Sequence, residues 1–269
     1  MFQRLFAKTA SISQSENVKT VDPADRIYAV GDIHGCSALL NGMLEAIGDD
    51  ISSQTTARRN RIVFLGDYVD RGDNSKEVLD SLADIFSIRD KLEHQTGVRI
   101  DFLAGNHEAA LLDFLDDPVL GKSWLEWGGR QTLASYGILP NSGALGTEDL
   151  HVLRDQLYDR MGSHLPFLKG LSKTIVSGDV VFVHAGLDPN SSPSEQPDSA
   201  ALWGLIPAGR QSGLPGYRMV HGHYAKYEPV TIRDRICVDT GAYYSGRLTA
   251  VRLDEGEAFL HVDAGNLLD

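Results

Sequence analysis

The chain has 269 residues, two cysteines and a formal net charge of −12 from 37 acidic and 25 basic residues. A chain of this length buries roughly three-quarters of the surface that its unfolded form exposes, so its stability needs no disulfide staples. The acidity argues against a general nucleic-acid-binding surface, although cations within one cleft could still receive a phosphorylated substrate. No run is long and apolar enough to span a membrane, and Met1 to Lys8 lack the apolar core of a secretory signal. A cytoplasmic protein is expected, with residues 1–24 a loosely held arm and 25–269 a single domain. Cys36 and Cys237 form no metal-type spacing and read as buried small hydrophobes compatible with a reducing compartment.

The first predicted strand is 26–31, followed by a helix from Cys36 to Ile47 with Leu39, Leu40, Met43, Leu44 and Ile47 at helical spacing. Residues 51–60 are polar, and Arg58 to Arg61 read as a solvated basic turn. A second strand, 61–65, runs into Gly66-Asp67-Tyr68-Val69-Asp70-Arg71-Gly72. Ser75 is placed to cap a helix through Ile88, and strand 98–103 leads into Gly105-Asn106-His107-Glu108. Three β-loop-α units indicate an α/β sheet. Residues 108–165 lack strand alternation and read as a helical cap. Within it, Trp124 and Trp127 either pack under the cap or wall a substrate site. The second half is β-rich, with strands at 172–176, 180–183, 217–220, 230–233, 235–238, 248–253 and 258–263.

Ionised side chains are poor core material unless they are paired or bind metal. Asp32, His34, Asp67, Asn106, His184 and His223 nevertheless all follow apolar strands, beside glycines. Such oxygen and imidazole donors without thiolate suit two divalent ions, Mn first, with Fe or Zn also compatible. A carboxylate between two ions can bridge them, and two-metal sites suit in-line displacement at phosphorus. His94, His151, His164 and His261 lie in no such loop and read as structural.

Gly31-Asp32-Ile33-His34-Gly35, the 66–72 loop and Gly105-Asn106-His107-Glu108, in that order, resemble the signature of the PPP-type serine/threonine protein phosphatases, members of the calcineurin-like metallophosphoesterases. His184-Ala185-Gly186-Leu187 and Gly222-His223 resemble two later motifs, and Asp239-Thr240-Gly241-Ala242 with 246–250 is similar to the bacterial branch. The resemblance spans about residues 27–252. It implies an α/β (α+β type) sandwich of two mixed β-sheets flanked by helices, with a helical cap. It also implies that Asp32 and His34 hold one metal, Asp67 bridges, and Asn106, His184 and His223 hold the second. Arg71 and Asn106 would meet the phosphoryl group, and His107 would protonate the leaving oxygen with Asp70 orienting it. The nucleophile would be a hydroxide held by the two ions, with no covalent intermediate.

Two departures bear on substrate. Where relatives carry an arginine after a Leu-Trp pair, Leu205 follows Leu202-Trp203-Gly204, leaving Arg210 or Arg218 as a replacement phosphate clamp. Tyr224 stands where threonine is common. The first expectation is therefore a phosphatase for phosphoserine and phosphothreonine, extending to phosphotyrosine. The alternative is a hydrolase resembling the symmetrical diadenosine tetraphosphatases, with Trp124 and Trp127 against adenine. A third reading, a silent phosphate-binding scaffold, fits less well because no ligand or acid is missing.

Overall fold

The computed structural model describes residues 19–140, 145–205 and 213–267. Strand β1 (Asp25–Val30) is followed by helix α1 (Ser37–Ser53), β2 (Arg59–Phe64), α2 (Ser75–Thr96) and β3 (Val98–Phe102). Helices then dominate: α3 (Asn106–Asp116), a 3₁₀ turn at Leu120–Glu126, α4 (Gly129–Ser135), α5 (Thr147–Met161) and α6 (His164–Lys169). The second half supplies β4 (Thr174–Ser177), β5 (Val180–Val183), β6 (Arg218–His221), β7 (Val230–Ile232), β8 (Arg235–Cys237), β9 (Arg247–Leu253) and β10 (Glu257–Asp263).

These strands form two five-stranded sheets, ordered β10-β9-β1-β2-β3 and β4-β5-β6-β8-β7. In the first, β1, β2 and β3 are parallel and β9 is antiparallel to β1. In the second, β5, β6 and β8 are parallel, with antiparallel strands at both edges. Alternation along the strands explains the layering. Ile27, Ala29, Val63 and Leu65 pack with Phe182, Val220 and Ile236 between the sheets. Tyr28, Val30, Ile62 and Phe64 face the helices instead. The result is an α/β sandwich of two mixed sheets flanked by helices. No helix among the described residues is long and apolar enough to cross a membrane.

Every parallel strand ends in the same region, because parallel strands share one direction. The loops leaving β1, β2 and β3 carry Asp32, Asp67 and Asn106, and those leaving β5, β6 and β8 carry His184, His223 and Asp239.

Several local expectations are corrected. Helix α1 continues to Ser53 and α2 to Thr96. The basic turn is instead the start of β2, where Arg59 pairs with Asp25 at 2.7 Å and Arg61 with Asp101 at 2.6 Å. Cross-strand carboxylates let charged residues enter a strand that local polarity disfavours. Ser75 does not cap α2; its hydroxyl accepts the Asp70 N–H at 3.0 Å. Residues 1–18 lie outside the described residues, whereas Val21 is buried and Asp22 N–H donates to Ser177 Oγ at 3.0 Å.

Candidate active site

The loops at the strand ends are held in left-handed backbone. His34, Asp67, Asp70, Arg71 and His223 all have φ between 45° and 73°. Among the described residues, Arg233 is the only other non-glycine residue with positive φ. Asp and His tolerate this region better than most residues, and strained backbone gathers where a side chain must be aimed. The Asp67 carbonyl accepts from Ile33 N–H at 3.0 Å and His34 N–H at 2.9 Å, lacing the first loop to the second. Glu108, fully buried, accepts N–H groups from Asp67 and Tyr68 at 2.8 and 2.7 Å, and from Gly105 at 2.9 Å. Burial and the Asp67 charge push the Glu108 carboxyl up to about 7, against the pull of those amides. Gly105 and Gly222 have steric reasons to be glycine, since a Cβ would collide with the Asp67 carboxylate at the first and with Asp32 at the second.

Two donor clusters share Asp67. The first brings together His34, Asp67 and His107, and the second Asp67, His184 and His223. His34 Nε2 lies 3.5 Å from Asp67 Oδ2, and His184 Nε2 lies 3.4 Å from Asp67 Oδ1. Asn106 Oδ1 is 3.0 Å from His184 Nε2 and 2.9 Å from His223 Nδ1. The outer nitrogens are tied down: His34 Nδ1 bonds the Val69 carbonyl and His184 Nδ1 the Leu65 carbonyl, each at 2.9 Å. These bonds leave the two Nε2 atoms as bare acceptors facing Asp67. Burial depresses His34 to about 3, which keeps that imidazole neutral. Asp32 stands beside this group, accepting the His223 N–H at 3.0 Å.

Carboxylates crowd the same buried space. Desolvation, then Asp239 and Asp67, push Asp32 well above the usual range, and burial raises Asp239 to about 6. Ionised carboxylates so placed repel one another unless cations stand among them. Neutral imidazoles, an amide oxygen and clustered carboxylates form a donor set that fits divalent ions, with Asp67 common to both groups.

Within the first cluster, His107 is turned by its other nitrogen, Nδ1, which bonds Asp70 Oδ2 at 2.7 Å. Asp70 is fully buried and also accepts Trp124 Nε1–H at 2.8 Å and Thr132 Oγ1–H at 2.6 Å. Burial pushes His107 down, but Asp67 and Asp70 outweigh it and hold this imidazole above its ordinary value. The Arg71 guanidinium sits 5.2 Å from the Tyr243 ring centroid. A cleft of about 730 Å³ opens in front, lined by Arg71, Asn106, His107, Trp127, Arg130 and Trp203, among others.

The structure therefore gathers Asp32, His34, Asp67, Asp70, Arg71, Asn106, His107, His184 and His223 in one region. Arg210 lies outside the described residues, and Arg218 pairs with Glu257 at 2.5 Å at the opposite end of β6 from His221. The two tryptophans part company: Trp124 is fully buried and holds Asp70, while Trp127 is 41% exposed on the cleft wall. Four residues of this neighbourhood escaped the sequence reading as contributors: Glu108, Thr132, Arg130 and Asp239. Glu108 had a signal, its position three residues after Gly105 at a helix start. Asp239 had one too, since it follows a strand and precedes Thr240-Gly241.

The family model for calcineurin-like phosphoesterases matches residues 25–252. The chain belongs to the calcineurin-like phosphoesterases. Membership makes it a metallophosphoesterase, a metal-binding hydrolase, and implies a divalent two-metal site. It is 27% identical over 249 residues to the bis(5'-nucleosyl)-tetraphosphatase PrpE [asymmetrical] of Oceanobacillus iheyensis, covering 86% of this chain and 90% of the relative. It is 26% identical to the symmetrical bis(5'-nucleosyl)-tetraphosphatase of Methylococcus capsulatus, covering 85% and 91%. Among solved structures, one whose description suggests a diadenosine tetraphosphatase superposes with a TM-score of 0.55 at 21% identity, over 91% of this chain and 97% of that one. A protein serine/threonine phosphatase from Saccharomyces cerevisiae gives 0.50 at 15% identity, over 91% and 84%. These two likenesses concern the fold alone.

Proposed function

We propose that this metallophosphoesterase hydrolyses a phosphoanhydride bond in dinucleoside polyphosphates. That reverses the order of the two substrate readings drawn from the sequence. The observation that carries the proposal is the similarity to curated bis(5'-nucleosyl)-tetraphosphatases across about nine-tenths of their length. The cleft of about 730 Å³ is room enough for several phosphates and a nucleoside.

In this reading Asp32, His34 and Asp67 would hold one divalent ion, and Asp67, Asn106, His184 and His223 would hold the other, with Mn the first candidate. Bound there, such ions supply positive charge for phosphoryl oxygens and lower the pKa of water near neutrality. The protein's own side chains do the rest. Arg71 faces the cleft and meets the equatorial phosphoryl oxygens, with its guanidinium braced against Tyr243. Asn106 contacts the same group from the α3 N-terminus. His107 keeps Nδ1 on Asp70 and presents Nε2 to the leaving oxygen, where it delivers a proton. Asp70 holds the ring's orientation and favours its protonated form. A leaving phosphate with a second pKa of about 6 departs far more readily than a serine alkoxide, so the anhydride asks less of His107.

The test is a paired assay with added Mn, offering diadenosine tetraphosphate and a phosphoserine peptide to the same preparation. The expected outcome is a higher kcat/KM for the dinucleotide, with product analysis reporting which anhydride bond is cut. A strong preference for the peptide overturns the proposal and restores the protein-phosphatase reading.

A further inference from the structure

Trp127 and Trp203 meet edge to face, with ring centroids 5.5 Å apart and planes at 68°. They come from distant parts of the chain, one just before α4 and the other between β5 and β6. Neither is needed to hold a donor residue, and Trp127 remains 41% exposed. Both rings line the phosphate cleft together with Arg71 and Arg130. Both also line an adjoining hollow of about 290 Å³, whose other walls include Ala110, Leu120, Asp113, Asp116 and Asp117. The cations lie on one side of the tryptophan corner, where Arg71 and Arg130 outnumber the single carboxylate of Glu126, while the hollow on the other side is lined by three carboxylates and no lysine or arginine. Phosphate is attracted to the first side and repelled from the second. A neutral aromatic ring has no such penalty, and it gains by stacking on an indole.

We infer that Trp127 and Trp203 form a nucleobase subsite, which orients a nucleoside polyphosphate with its phosphates along Arg71 and Arg130 and its base against the indoles. This deepens the function proposed above and rests on it. The chemical class recognised is a nucleoside 5'-polyphosphate end, and base contact there makes Trp127, Trp203 and Arg130 specificity determinants for a reaction centred on His107. It also offers Arg130 as a cation placed to take up the part for which the sequence suggested Arg210.

The experiment compares two non-hydrolysable probes, α,β-methylene-ADP and methylenediphosphonate, binding to the Mn-loaded chain by calorimetry. Stacking one base is worth about 1–3 kcal/mol, so the nucleotide is expected to bind about 5- to 150-fold more tightly than the diphosphonate. Trp127→Ala and Trp203→Ala should each remove most of that ratio while leaving diphosphonate affinity unchanged, and Trp127→Tyr should restore it. Equal affinity for the two probes in the unaltered chain overturns the inference. So does a parallel loss for both probes in the variants. Failure of the parent reading looks different: no turnover of diadenosine tetraphosphate, with the base-dependent binding ratio intact. Turnover without base dependence sinks the subsite alone.

Discussion

Replacing Thr132 by Val removes one buried hydroxyl from the support of the site. Thr132 is fully buried on α4, and its hydroxyl donates to Asp70 Oδ1 at 2.6 Å while accepting the Asp70 N–H at 3.0 Å. Valine has nearly the same shape, so no cavity confuses the result. The Asp70 N–H keeps a second partner, Ser75 Oγ, at 3.0 Å. The main loss is one donor to a buried carboxylate, beside a longer contact to Ser75 Oγ at 3.2 Å, and a hydrogen bond to a charged group contributes about 1.5–3 kcal/mol. In a chain of this size that corresponds to a fall in Tm of roughly 3–12 °C. Asp70 would keep Trp124 Nε1 and His107 Nδ1 but swing more freely about them. Proton delivery to a poor leaving group should therefore slow by about tenfold, equivalent to about 1.4 kcal/mol, with little change for an activated aryl phosphate. Urea or thermal unfolding measures the first effect, and the ratio of kcat on alkyl and aryl phosphates measures the second. If Tm and that ratio both stay at the unaltered values, the hydroxyl does not support Asp70, and the account of the Asp70–His107 pair is wrong.

Further expectations concern the donors and the buried histidines. Removing divalent ions with a chelator should lower Tm, because a cation at 100 times its dissociation constant adds about 2.7 kcal/mol; Asp67→Asn should abolish that difference in a melting experiment with and without Mn. Gly222→Ala drives a methyl into Asp32 Oδ1, so bound metal measured by elemental analysis should fall, and full occupancy would contradict the crowding described here. His107→Asn should slow alkyl phosphate hydrolysis by about 10²–10⁴-fold but dinucleotide hydrolysis much less; equal slowing would mean the leaving group does not decide the need for this proton. His164, hydrogen-bonded to Tyr136 and Asp80, is held by burial below its ordinary value. Its contribution to stability is present above pH about 6.5 and is lost as the pH falls towards the depressed folded pKa, because the unfolded chain takes up the proton first. Urea midpoints between pH 7.5 and 5 should drop less in His164→Gln than in the unaltered chain, and an identical drop would remove this residue from the acid response.

Local order along the chain was enough to expose the apolar strands, the glycine-flanked loops that end them and the acid, amide and imidazole residues those loops carry. A strand's period and a turn's composition are short-range properties, so the α/β sheet and its candidate donors were legible without coordinates, and the motif resemblance added the second sheet of the sandwich. Partnership across the fold was not. Ser75 looked like a helix cap and instead supports Asp70; Trp124 and Trp127 looked equivalent, yet one is buried against Asp70 and the other is exposed on the cleft wall; Arg218 was one of two candidate replacements for the phosphate clamp and lies at the wrong end of its strand. Asp239 stood in a legible motif after a strand, yet only the parallel direction of β8 delivers it beside Asp32. In each case the deciding quantity is where a side chain lands after two sheets and a layer of helices have packed, which depends on residues far away in sequence. The meeting of Trp127 with Trp203 is of the same kind, since nothing local to either ring announces the other.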